Sequence, residues 1–241
     1  ILEEGLELEI LGRVVQSMQQ AADEVGIRIV TGDTKVVDRG KGDGVFINTA
    51  GVGLVPQGVD VSPNRVRPGD QVLVSGDIGR HGIAIMSVRE GLKFEGAPES
   101  DCASLAELVA SLRQLGTHLH CLRDLTRGGL AAALIEFAEH ANVGIELQDP
   151  AIPVIPQVSG ACELLGLDPL YVANEGRLVA IVAAEAADEA LKIMSDHAAA
   201  HSPAIIGQVT DAHPGDVELR NAFGSGRLLD LLSGEQMPRI C

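Results

Sequence analysis

Four places in this sequence hold residue types that could do chemistry. Gly32-Asp33-Thr34-Lys35 follows an apolar stretch. Gly32 permits a tight turn, Asp33 offers a hard oxygen to Mg2+, and Lys35 is a cation or, if desolvated, a base. An ordinary turn would use the same four residues. Asp124-Leu125-Thr126-Arg127-Gly128-Gly129-Leu130 says more. Glycines such as Gly128 at a helix start let backbone N–H groups approach an anion, with the helix dipole behind them. Arg127 can fork onto a phosphate or carboxylate. The alternative is a capped helix start with a surface salt bridge. Asn174-Glu175-Gly176 precedes an apolar strand, where the carboxylate either meets a ligand or lies in a solvated turn. Cys241 is the last residue. Chain termini are seldom buried, so packing does not explain a cysteine there. A thiol on a tail can visit another protein's active site and return, unless it has no role or is an accidental disulfide partner. His81, in Gly79-Arg80-His81-Gly82, reads as a turn residue.

These groups need elements to position them. Leu8, Leu11, Val15, Met18 and Ala22 recur at helical spacing within Leu6–Val25, and Gly26 stops the run. Ile27–Thr31 and Val45–Ala50 read as strands. Leu54–Asp70, with Pro56, Pro63, Pro68, Gly58 and Gly69, is the best linker. Beyond it, strands are expected at Gln71–Ser75, Leu119–Leu122, Gly144–Leu147, Leu178–Ala183 and Ala204–Val209. Helices are expected at Ile83–Glu90, Ser104–Leu115, Leu130–His140, Val158–Leu165 and Glu185–His197. Ser104, with Glu107 three residues on, looks like a capping box. The pattern predicts an α+β fold: a partial N-terminal α/β lobe over 1–62, then an α+β sandwich over 63–232 with helices on one side of its sheet. An extended tail over 233–241 follows, where Pro238 biases Met237 away from helix.

Composition narrows the function classes. The 241 residues are 46% hydrophobic and 22% charged, long enough to bury a real core. The net charge of −16 repels phosphate backbones, which argues against nucleic-acid binding and leaves solubility or a basic protein partner. No apolar run is long enough to span a bilayer, and the acidic start is unlike a signal peptide. Cys102, Cys121, Cys162 and Cys241 form no CxxC pair, so they read as cytoplasmic free thiols. The chain lacks a starting Met and begins inside an element, which reads as a fragment of a longer protein.

Taken in order, Gly32-Asp33-Thr34-Lys35-Val36-Val37, Asn48-Thr49-Ala50-Gly51, Asp124-Leu125-Thr126-Arg127-Gly128-Gly129, Val172-Ala173-Asn174-Glu175-Gly176 and terminal Pro238-Arg239-Ile240-Cys241 resemble the HypE family of hydrogenase maturation proteins. That family belongs to the aminoimidazole ribonucleotide synthetase-like superfamily, and the likeness runs from the first residue to the last. It implies an ATP-dependent carbamoyl dehydratase. A HypF-type carbamoyltransferase would load Cys241, ATP would phosphorylate the carbamoyl oxygen, and loss of phosphate and a proton would leave a nitrile on sulfur. The cyano group would pass to a HypC–HypD complex for the iron centre of [NiFe]-hydrogenase.

By resemblance, Lys35 and Glu175 assist deprotonation and Asp33 lies near the Mg-nucleotide. Gly32, Thr34, Asn174, Asp124, Arg127 and Gly128 line the cofactor or the tail. The family also carries an N-terminal segment, glycine-rich and with aspartates, that precedes the point equivalent to Ile1 and helps form a homodimer. The chain is therefore expected to bind ATP weakly or not at all, and to be monomeric or differently assembled. A carrier that presents Cys241 without turnover is the second reading. A thiamine-phosphate kinase or selenophosphate synthetase is the third, and Pro-Arg-Ile-Cys argues against both.

Overall fold

The computed structural model describes residues 1–89, 91 and 96–231. The chain divides into two compact units, Ile1–Gln57 and the remainder from Gly58 onward.

In the first unit, β1 (Leu2–Glu3) pairs in parallel with β2 (Val36–Val37), and Val45 bridges back to Leu2. Helix α1 (Leu8–Glu24) ends where Gly26 turns to a positive φ of 67°. Its half-buried or buried face is Leu11, Val14, Met18 and Ala22, while Leu8 and Val15 are exposed. The helical period holds, and the inward face is rotated from the expected one. Glu3 links two turns: its carboxylate accepts the Gly40 N–H and, at 3.1 Å, the Gly44 N–H. These bonds hold its pKa below the ordinary value. Ile27–Thr31 and Val45–Ala50 do not form the expected strands. Beyond the Val45 bridge and the pair of backbone hydrogen bonds between Phe46 and Ile1 they form no ladder, and Ile27, Ile29, Val30, Phe46 and Ile47 are exposed. An apolar run of the right length becomes a strand only when a neighbour accepts its backbone hydrogen bonds.

The second unit is built on a seven-stranded sheet. Its strands are β3 (Gln71–Val74), β4 (Leu119–Asp124), β5 (Gly144–Gln148), β6 (Leu178–Val182), β7 (Ala204–Thr210), β8 (Val217–Arg220) and β9 (Gly226–Leu229), in the order β4-β6-β3-β7-β5-β8-β9. All neighbours are antiparallel except β5 and β8. The helices are α2 (Arg80–Arg89), α3 (Ala106–Leu112), α4 (Gly129–Ala141), α5 (Pro156–Leu165) and α6 (Ala187–Ser195).

Helices cover both faces of the sheet, not one. Val72, Val74, Val179 and Ile181 join a core with Leu130, Leu134 and Phe137 of α4. Leu73, Ala180 and Val182 join a second core with Leu108 and Leu112 of α3 and Ala190 and Met194 of α6. Strands buried on both faces read as continuous apolar runs, as Leu178–Val182 does. Each large side chain buried this way contributes about 1.5–3 kcal/mol. Ser104 is not the cap of α3; its Oγ accepts the Ala106 N–H at 3.3 Å, and the helix starts one turn residue later. Strands β8 and β9 were not expected. Among the described residues, no helix is long and apolar enough to cross a membrane.

Candidate functional site

Strands β3 and β4 both run antiparallel to β6, so their ends meet its beginning. Three connections therefore converge at that end of the sheet: Ser75–Gly79 before α2, Leu125–Gly128 before α4, and Val172–Arg177 before β6.

Asn174 ties them together. It is fully buried, its Oδ1 accepts the Gly79 N–H at 2.6 Å, and its Nδ2 donates to the carbonyls of Leu125 (3.1 Å) and Val172 (3.0 Å). Its own N–H donates to Leu125 as well, at 3.0 Å. Arg177 does similar work three residues on, just before β6. Its buried guanidinium donates to the Asp77 carbonyl (3.0 Å), the Asp77 carboxylate (3.1 Å) and the Gly176 carbonyl (2.9 Å). Asp77 also accepts from Arg80. A buried carboxylate and a buried guanidinium are tolerable because each is paired and hydrogen-bonded.

Glycines let the backbone pack this closely. Gly129 opens α4 at φ 60°, and a Cβ there would sit 2.5 Å from the Leu170 carbonyl and 2.7 Å from that of Val172. At Gly176 a Cβ would overlap the Asp101 carbonyl.

Between Asn174 and Arg177 sits Glu175. Its backbone N–H donates to Asp101 Oδ1 at 2.8 Å, and its Oε1 is sealed from solvent with no hydrogen-bond partner. Burial pushes its carboxyl above the ordinary range; His81 opposes the rise, and Asp101 and Asp124 add to it. Asp124 accepts the Thr126 hydroxyl at 2.8 Å. His81 is buried on the first turn of α2, with its Nδ1 2.8 Å from Ser100 Oγ. A partly buried carboxyl whose pKa burial raises, near an imidazole, is suited to accept and return protons.

Asn174, Glu175, Asp124 and Gly128 thus belong to one end of one sheet. Arg127 lies exposed on the same connection and is itself engaged in contacts. Gly32, Asp33, Thr34 and Lys35 lie exposed in the first unit, where Asp33 Oδ1 accepts the Thr34 N–H at 2.9 Å. Among the described residues, no three His, Cys, Asp or Glu side chains gather to hold a cation. Cys241 and the tail expected over 233–241 lie outside the described residues.

Sequence reasoning missed His81, Asp101, Asp77 and Arg177. His81 is not a plain turn residue: it is a buried helical side chain beside Glu175. No local signal marks Asp101, whose partner lies in a distant segment.

Comparison with known proteins matches residues 67–220 to the AIR synthase related protein C-terminal domain and residues 1–55 to the corresponding N-terminal domain. Carbamoyl dehydratase HypE of Azotobacter vinelandii is 53% identical over 241 residues, covering 100% of this chain and 71% of that protein. The crystal structure of Escherichia coli HypE superposes with a TM-score of 0.96 at 46% identity, covering 100% of this chain and 74% of that one. A HypE structure in complex with ATP gives 0.88 at 42% identity, over 100% and 73% of the two chains. A chain of a HypE–HypF complex gives 0.92 at 44% identity, over 95% and 74%.

Proposed function

The chain belongs to the HypE carbamoyl dehydratase family, within the AIR synthase-related proteins, and from that premise we propose that it dehydrates an S-carbamoyl group on Cys241 to a thiocyanate at the expense of ATP. The observation that carries the mechanism is Glu175, a half-buried carboxyl held above its ordinary pKa at the meeting point of three loops.

The chemistry has two proton losses. The carboxamide oxygen of R–S–C(=O)–NH2 attacks the terminal phosphorus of ATP, ADP leaves, and one N–H proton goes to a base. The C–O bond of the resulting phosphorylated imidate then breaks; phosphate departs, the second N–H proton is lost, and R–S–C≡N remains. An amide oxygen is a poor leaving group and phosphate a good one, so ATP supplies the driving force. Glu175 is the proton acceptor in this reading, because its raised pKa matches it to take a proton and release it again. Lys35 is the second candidate base. Asp124, Arg127 and Gly128 steady phosphate or the tail, and Gly32, Asp33 and Thr34 lie on the nucleotide side; Asp33 would offer one oxygen to Mg2+. Asn174 supports the site by holding its loops.

A HypF-type transferase would supply the carbamoyl group, a HypC–HypD complex would receive the cyano group, and the reaction would run in the cytoplasm. A homodimer is the assembly expected of the full-length family. Incubating the chain with its transferase and then Mg-ATP, and weighing the C-terminal peptide, tests the proposal. Loss of one water that depends on ATP, Cys241 and Glu175 supports it. A stable adduct that never loses water refutes turnover and leaves Cys241 as a carrier thiol.

A further inference from the structure

Asp101 stands out among the groups that the mechanism above leaves unused. It is 6% exposed, on the connection before α3, between exposed Glu99 and Ser100 on one side and exposed Cys102, Ala103 and Ser104 on the other. One carboxylate oxygen accepts the Glu175 N–H at 2.8 Å, while the other, Oδ2, is buried and has no hydrogen-bond partner. Buried carboxylates are normally satisfied at both oxygens, so an orphaned one calls for an explanation.

The surroundings fix this side chain closely. Ser100 Oγ lies 2.8 Å from His81 Nδ1 and accepts the Cys102 N–H at 3.1 Å. The residues on both sides of Asp101 are thereby stapled, one of them to α2. On the other side, Gly176 lies so close that a Cβ would overlap the Asp101 carbonyl and come within 2.9 Å of the Ala103 nitrogen. The 100–103 segment and the Glu175–Gly176 backbone are therefore packed directly on one another.

We propose that Asp101 is the positioning residue of Glu175: its buried carboxylate holds the Glu175 main chain against the connection before α3 through one oxygen and keeps the other buried without a hydrogen-bond partner. This inference rests on the reading of Glu175 as the proton acceptor. Asp101 does not touch the reacting atoms. Its hydrogen bond fixes where the Glu175 side chain starts from, and its charge makes ionisation of Glu175 harder. The other titratable groups facing Glu175 are His81 from α2, Asp124 from the end of β4 and Cys102 from the same connection. Arg177, the nearest fixed cation in sequence, is turned onto Asp77.

Two variants separate position from charge. D101N keeps a carbonyl oxygen for the Glu175 N–H and removes the charge; D101A removes both. In the full protein, the Glu175 amide and side-chain carboxyl are followed by NMR, with E175Q used to assign the carboxyl signal. In D101N the Glu175 carboxyl should titrate at lower pH than in wild type, with its amide signal little changed. In D101A the amide proton should move upfield as it loses its hydrogen-bond acceptor. Carbamoyl dehydration should fall by roughly 10- to 100-fold in kcat in D101A, as expected of a displaced catalytic group, with little change in KM. D101N should recover most of that loss and shift the acid limb of the pH profile downward. An unchanged Glu175 titration in D101N together with an unchanged amide signal in D101A would overturn the proposal. If E175Q keeps full activity, the reading of Glu175 as base fails instead, while the two NMR measurements still decide the link to Asp101.

Discussion

Replacing Asn174 with Ala should be among the most destabilising single changes in the second unit. The side chain is fully buried and serves three backbone groups. After truncation the Gly79 N–H loses its acceptor and the Val172 carbonyl loses its donor, whereas the Leu125 carbonyl keeps the Asn174 N–H at 3.0 Å. Each orphaned buried group costs about 1–3 kcal/mol, so the sum is about 2–6 kcal/mol. For a unit of this size each kcal/mol lowers Tm by roughly 2–4 °C. Asn174→Asp is the sharper probe. It retains an acceptor for Gly79 but aims a carboxylate oxygen at the Leu125 and Val172 carbonyls, so it should cost at least as much as Ala. Urea unfolding measures both, with the midpoint falling and the slope unchanged. A loss below about 0.5 kcal/mol for Ala, the range of ordinary surface changes, or an Asp variant milder than Ala, would refute the account of Asn174 as a clamp.

The raised pKa of Glu175 means that the folded chain keeps this proton to higher pH than the unfolded chain, whose carboxyl titrates near 4.5. Its stabilising share is complete below that value and is lost as pH rises through the folded pKa. Urea midpoints across acidic to neutral pH should therefore decline less in E175Q than in wild type, and equal slopes would contradict the burial. Among Cys102, Cys121 and Cys162, burial pushes the thiols of Cys121 to about 12 and Cys162 to about 11, and Cys102 is raised but exposed. Alkylation of the native chain, read by peptide mass, should modify Cys102 first and reach the other two only on unfolding. Gly129→Ala forces a Cβ against two carbonyls at a positive φ, and should cost about 1–3 kcal/mol from backbone strain alone. A thermal midpoint equal to wild type would rule that out.

Most of the second unit was legible because its strands and helices carry their own periodicity. Leu178–Val182 is an unbroken apolar run and α4 is apolar on nearly every side, and both are buried as such patterns require. Strand β8 had a signal that went unread: Val217 and Leu219 are buried while Glu218 and Arg220 are half-exposed, a clean period of two. Strand β9 had almost none, since Leu229 is its one buried residue. Ile27–Thr31 and Val45–Ala50 misled because apolar composition cannot supply a pairing neighbour. At the site, the glycines and acids of the two connecting loops were visible as motifs. The link between Asp101 and Glu175 was not, because sheet order brings them together and neither neighbourhood hints at the other.

That sheet order also dictates when the site can exist during synthesis. Leu73 of β3 pairs with Ala180 on one side and Ile205 on the other, so this central strand has no partner from its own part of the chain. Closing such long loops is slow and precedes any reward from the contacts they bring. A ribosome will therefore release β3, α2, β4 and α4 well before their sheet can form. The apolar Val72, Leu73 and Val74, buried in the finished sheet, wait through that interval without the strands that cover them.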